Sequence, residues 1–85
     1  MRKLVFHALA WEDLSYWAVN DRATTKRLIR LIDDTLRDPF TGIGKPEPLK
    51  NVLRGSWSRR ITGEHRLVYF VTDKEIVILQ ARYHY

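Results

Sequence analysis

The residue order predicts an α+β domain of order β-α-α-β-β-β, with two helices packed on one face of a mostly antiparallel, twisted sheet. Three observations carry that expectation. Two stretches of helical apolar spacing sit between residues 10 and 37, parted by Asn20-Asp21. A segment rich in glycine and proline follows, from Phe40 to Gly55. Three β-prone runs close the chain, joined by Thr62-Gly63-Glu64 and Thr72-Asp73-Lys74, connections short enough for an antiparallel meander. Two helices covering one sheet face is the economical packing for such an order. It leaves the other face for a ligand.

Leu4-Val5-Phe6 reads as a short first strand. Ala10 to Val19 reads as a helix with Leu14, Trp17 and Ala18 on its inner face. Asp21 is placed to cap a second helix from Arg22 to about Arg37. Its expected inner stripe is Thr25, Leu28, Ile29, Ile32 and Leu36, and Pro39 stops it. Gly42, Gly44, Pro46, Pro48 and Gly55 forbid regular structure through most of the next segment. Prolines on both sides of Glu47 stiffen this loop, and long loops in compact domains tend to be functional. The last strands are expected at Ser56–Ile61, His65–Val71 and Glu75–Tyr83.

Residues 1–85 are expected to form a single domain, which at this length buries only about 60–65% of its unfolded surface. The chain has no cysteine, which excludes disulfides and thiolate chemistry. No apolar run approaches the length of a membrane span, and the basic start lacks a signal-peptide pattern, so a cytoplasmic protein is expected. The formal net charge is +5. Residues 45–66 hold six Lys/Arg against two Asp/Glu and account for nearly all of it. Such a concentrated basic stretch is the footprint expected for RNA or DNA.

Candidate chemistry lies in three places. Glu47, between Lys45 and Lys50, is a carboxylate that adjacent cations keep ionised, fit to accept a proton from a ribose 2′-OH. Arg59, Arg60 and Arg66 belong to one hairpin. Arginine offers a planar fork to phosphate and can steady charge growing in a transition state. Strand alternation turns Arg59 and Arg60 opposite ways, so one should share the side of Arg66. The other can pair with a helix acid. The chain end, Tyr83-His84-Tyr85, carries a titratable imidazole beside a free carboxylate that favours its protonated form, fit to be a general acid. His65 reads as a structural hydrogen-bond partner beside a turn, and Trp57 as core or interface. Three scattered histidines make a zinc site unexpected, and no nucleotide-binding or nucleophile-elbow motif is present. Together these pieces describe a ribonuclease without metal or cofactor.

Lys45-Pro46-Glu47-Pro48-Leu49-Lys50, Trp57-Ser58-Arg59-Arg60-Ile61, Glu64-His65-Arg66-Leu67-Val68-Tyr69 and Arg82-Tyr83-His84-Tyr85 together resemble the YoeB/Txe family of bacterial toxins, in the RelE/ParE superfamily. Asp38-Pro39-Phe40 with Gly42 and Gly44 fits the same pattern, and the resemblance spans essentially the whole chain. It implies a RelE-like microbial ribonuclease fold and a toxin that cuts mRNA in the A site of the 70S ribosome. It also implies an antitoxin of the YefM/Phd type, expected to be acidic and partly disordered, and a toxin homodimer. By this resemblance Glu47 is the general base, His84 the general acid and Arg66 the stabiliser of the transition state. Lys50, Arg60 and Tyr85 position RNA or assist, with Arg59 a further candidate for RNA contact. Gly63 and Ala81 depart from residues common in relatives. Two other readings stay open: a non-nucleolytic toxin of the same fold acting on gyrase, and an RNA- or ribosome-binding module that represses by occupancy.

Overall fold

In the computed structural model, residues 1–50 and 54–83 are described. The order is β1 (Lys3–Phe6), α1 (Ala8–Asn20), α2 (Arg22–Arg37), β2 (Glu47–Pro48), β3 (Ser56–Arg60), β4 (Arg66–Val71) and β5 (Glu75–Gln80). The five strands form one sheet in the order β1-β5-β4-β3-β2. β1 runs parallel to β5 and every other pairing is antiparallel. The expected architecture holds, with one addition: the loop contributes the two-residue edge strand β2.

Both helices are capped by the residue before them. His7 Nδ1 accepts from the Leu9 N–H at α1. The Asp21 carboxylate accepts from the Thr24 N–H and hydroxyl at α2, which holds its pKa below the ordinary carboxylate value. The inner faces differ from the sequence expectation. α1 buries Ala10 and Trp17, while Ala18 is exposed. α2 buries Thr24, Leu28, Leu31, Ile32 and Thr35, whereas Ile29 lies outside. The stripe is rotated by about one residue because α2 must also receive Arg59 from the sheet. Thr35 is tolerated inside because its hydroxyl donates to the Leu31 carbonyl.

Both tight connections in the meander use threonine in the same way. Thr62 Oγ1 accepts from the Glu64 and His65 N–H groups, and Thr72 Oγ1 from those of Lys74 and Glu75. β3 and β4 are each one residue shorter at the turn than expected, because Ile61 and His65 bond each other across it. β5 ends at Gln80 and not at Tyr83. Its register against β4 shifts between Val68 and Tyr69, and the chain then turns toward α1.

Arg59 is the largest fully buried side chain. Each of its guanidinium N–H groups has an acceptor. Nε donates to the Tyr69 hydroxyl (3.1 Å), Nη1 to Asp34 Oδ2 (2.6 Å) and the Ile43 carbonyl (3.1 Å), and Nη2 to the carbonyls of Asp38 (2.7 Å) and Thr41 (3.0 Å). The Tyr69 hydroxyl in turn donates to the Pro39 carbonyl. Burial pushes the phenol's pKa up, so it remains a donor. The loop leaving α2 is thereby tied to the core by its own carbonyls. Gly44 lets it lie against α2: at φ +80° a Cβ would stand 2.7 Å from Leu31 Cδ2 and 3.2 Å from Arg59 Cβ.

Asp34 is held down to about 2 by the Arg37 side chain, the Ile43 N–H and Arg59. Its folded value lies below the ordinary 3.8, so its contribution to stability is present above about pH 4 and lost as pH falls toward 2. Asp34→Ala should cost about 3–5 kcal/mol in urea unfolding at neutral pH, because it strands a buried guanidinium. The same variant should flatten the fall in the urea midpoint across that acidic window.

Candidate active site

Strand register decides which side chains meet. Ser58 lies opposite Glu47 on β2 and opposite Val68 on β4, and Val68 lies opposite Gln80 on β5. Directly opposed residues project to the same face. Arg60 and Arg66 are opposed two residues further along, so they rise from that face as well. Glu47, Arg60 and Arg66 therefore share the face turned away from the helices. Strand spacing puts the Cα atoms of Glu47 and Arg66 about 12 Å apart, a span that a nucleotide and two long side chains can fill. Ser58 and Val68 form the covered floor between them. Glu47, Lys50 and Arg60 are exposed.

Arg59 points the other way. It was a candidate for RNA contact, and the structure removes it from that set. The pleat aims it at the helices, where Asp34 and four further acceptors enclose it. Arg60 is the member of the pair that shares the face of Arg66. Arg66 Nη1 donates to the carbonyls of Thr62, Gly63 and His65, which folds the side chain against the hairpin turn.

The tail after β5 is held by a second set of contacts. The Ala81 N–H donates to Asp13 Oδ2 (2.9 Å), and its carbonyl accepts from Trp17 Nε1 (2.8 Å). Arg82 lies on the Tyr16 ring, its guanidinium carbon 3.4 Å from the centroid and 4.6 Å from that of Tyr83. Its buried Nε finds no hydrogen-bond partner among the described residues, and the π faces take that place. The Tyr83 N–H donates to His65 Nδ1 (2.7 Å), and the Tyr83 carbonyl accepts from the Arg66 N–H (3.0 Å). The chain end is thus fastened to the start of β4 at the residue before His84. His84 and Tyr85 lie outside the described residues.

Among the described residues, Lys45 and Tyr83 are the two non-glycine residues with left-handed backbones, at φ 52° and 64°. An L-residue there costs about 1–2 kcal/mol. One precedes Glu47 by two residues and the other directly precedes His84. Strain held by surrounding contacts gathers at functional sites. Among the described residues, no three His, Asp or Glu side chains converge on a point that could hold a metal ion. No described helix is long and apolar enough to cross a membrane.

Residues 6–85 match the family described as YoeB-like toxins of bacterial type II toxin–antitoxin systems. The chain belongs to that family. It is 59% identical to Toxin YoeB of Streptomyces coelicolor, over 98% of this chain and 99% of that one. Its fold superposes on the YoeB dimer of Staphylococcus aureus with a TM-score of 0.91 at 44% identity, covering 99% and 98% of the two chains. It superposes on the Staphylococcus aureus toxin in the YoeB-YefM complex with a TM-score of 0.88 at 42% identity, covering 100% and 99%.

Within this YoeB-like fold, sequence reading missed the residues that place the tail. Asp13 and Trp17 lie 68 and 64 positions from Ala81. Nothing local marks either as its partner; the only hint is an acid and an indole on one helix, one turn apart. Asp13→Ala would leave the buried Ala81 N–H without its acceptor and should cost about 1–3 kcal/mol. Amide hydrogen exchange at Ala81 should accelerate in the folded variant, while exchange in β3 stays as in the wild type.

Proposed function

We propose that this chain is a ribosome-dependent, metal-independent endoribonuclease that cuts mRNA in the ribosomal A site and so stops translation. The observation that supports it most is the placing of Glu47, Arg60 and Arg66 on one sheet face, with the tail that carries His84 bonded to the backbone of Arg66. In this reading Glu47 removes the proton of a ribose 2′-OH. The 2′-oxygen attacks the neighbouring phosphorus, forming a 2′,3′-cyclic phosphate as the bond to the 5′-oxygen breaks. His84 supplies the proton that the leaving 5′-oxygen needs. Arg66 leaves its turn carbonyls to face the phosphorane, where its fixed charge offsets the charge growing on the equatorial oxygens. Lys50, Arg60 and Tyr85 hold the RNA strand.

The same reading includes a YefM-type antitoxin as the inhibitory partner, a toxin homodimer and a cytoplasmic site of action. A face that carries Arg60 and Arg66 suits an acidic segment that folds on binding.

Cleavage of a defined mRNA, free and on programmed ribosomes in EDTA, tests the proposal. Wild type should cut the A-site codon with the chelator present. Glu47→Ala and His84→Gln should each fall by about 10²–10⁴-fold, the range for one acid or base group. Translation that stops while the mRNA stays whole would replace this reading with action by occupancy or on another target.

A further inference from the structure

His65 sits where the hairpin turn, α1 and the tail meet. Its ring is fixed on two sides, with centroids 4.8 Å from Trp17 and 5.6 Å from Tyr83. Its Nδ1 accepts the Tyr83 N–H at 2.7 Å, so that nitrogen carries the lone pair and the ring proton belongs on Nε2. The next residue, Arg66, takes the Tyr83 carbonyl through its own N–H. Two consecutive residues thus grip both backbone polar groups of Tyr83, whose backbone is left-handed. The Arg66 bond is backbone and would form with most side chains. The His65 bond needs a side-chain acceptor at that point.

We propose that His65 is a positioning residue, a latch whose Nδ1 lone pair holds the Tyr83 amide beside Arg66, and which opens when Nδ1 takes a proton. The inference rests on the reading of His84 as the general acid. An imidazolium donates from both nitrogens, so protonation sets two N–H groups against each other and frees Tyr83 from its strained backbone. Among the described residues, the charged and titratable groups around the ring are Asp21 and Glu64 across the adjoining groove, Arg66 next in the chain, and Arg82 and Tyr83 in the tail. The latch is closed when His65 is neutral and open when it is charged. It therefore adds an acid limb to the pH–rate profile.

Two substitutions separate the latch from plain packing. His65→Phe keeps a ring against Trp17 and Tyr83 but has no acceptor. His65→Asn places a non-titrating carbonyl oxygen near the position of Nδ1. Single-turnover cleavage on programmed ribosomes should fall on the order of 10²-fold in His65→Phe, the penalty for misplacing a catalytic group by about an ångström. Half-saturation by ribosomes should stay as in the wild type. His65→Asn should recover most of the rate and move the acid limb to lower pH. By NMR, wild-type His65 should be the Nε2–H tautomer, and protection of the Tyr83 amide should fade as the His65 ring titrates. Tyr83 protection that ignores that titration, or an acid limb unmoved in His65→Asn, would overturn the latch. A rate lost in His84→Gln but kept in His65→Phe would overturn the latch alone. A His84→Gln variant as fast as wild type would overturn the acid reading on which it rests.

Discussion

A guanidinium with all five N–H groups satisfied inside an 85-residue protein is the constraint from which the rest of this structure follows. The segment after α2 is too rich in glycine and proline to satisfy its own backbone with a ladder. Its carbonyls still need donors where they are turned inward. Arg59 supplies them in a fixed planar fork, and Asp34 neutralises the charge. A buried cation is costly unless paired and fully hydrogen-bonded, and here it is both. The consequence reaches the surface: the Gly44 carbonyl is set to accept the Arg60 N–H, and Glu47 enters the sheet opposite Ser58.

A second anchor works through α1 and the β3–β4 hairpin. Asp13 and Trp17 of α1 and His65 of the hairpin take successive polar groups of Ala81 and Tyr83. Arg82 is pressed among aromatic rings. The loop and the chain end are the two segments that would otherwise be loosest. Each is fastened by side chains from a distant element, and each carries a left-handed L-residue that the fastening must hold.

Burial and function have divided the arginines of one hairpin by pleat alone. Arg59 and Arg60 are neighbours in sequence, yet one is the centre of the core network and the other stands in solvent. Alternation announces that they face opposite ways, but not which way. That choice was made by the position of Asp34 on α2, which only the packed helix reveals.

The sequence by itself determined the order of the main elements, the cap of α2, the breakers of the helices, the antiparallel meander and the concentration of charge in residues 45–66. These depend on neighbours a few positions apart: Asp21 and Thr24, Pro39 after Arg37, Thr62 and Thr72 in their turns. Its specific strings around Glu47 and at the chain end also announced the toxin family. The inner stripe of α2, the early end of β5 and the edge strand at Glu47–Pro48 were decided by tertiary structure. So were the burial of Arg59 and the anchoring of the tail by Asp13, Trp17 and His65. The physical reason is range. Hydrogen bonds between residues ten to sixty-eight positions apart form only after the sheet has closed on the helices, and they leave no periodic trace in the chain.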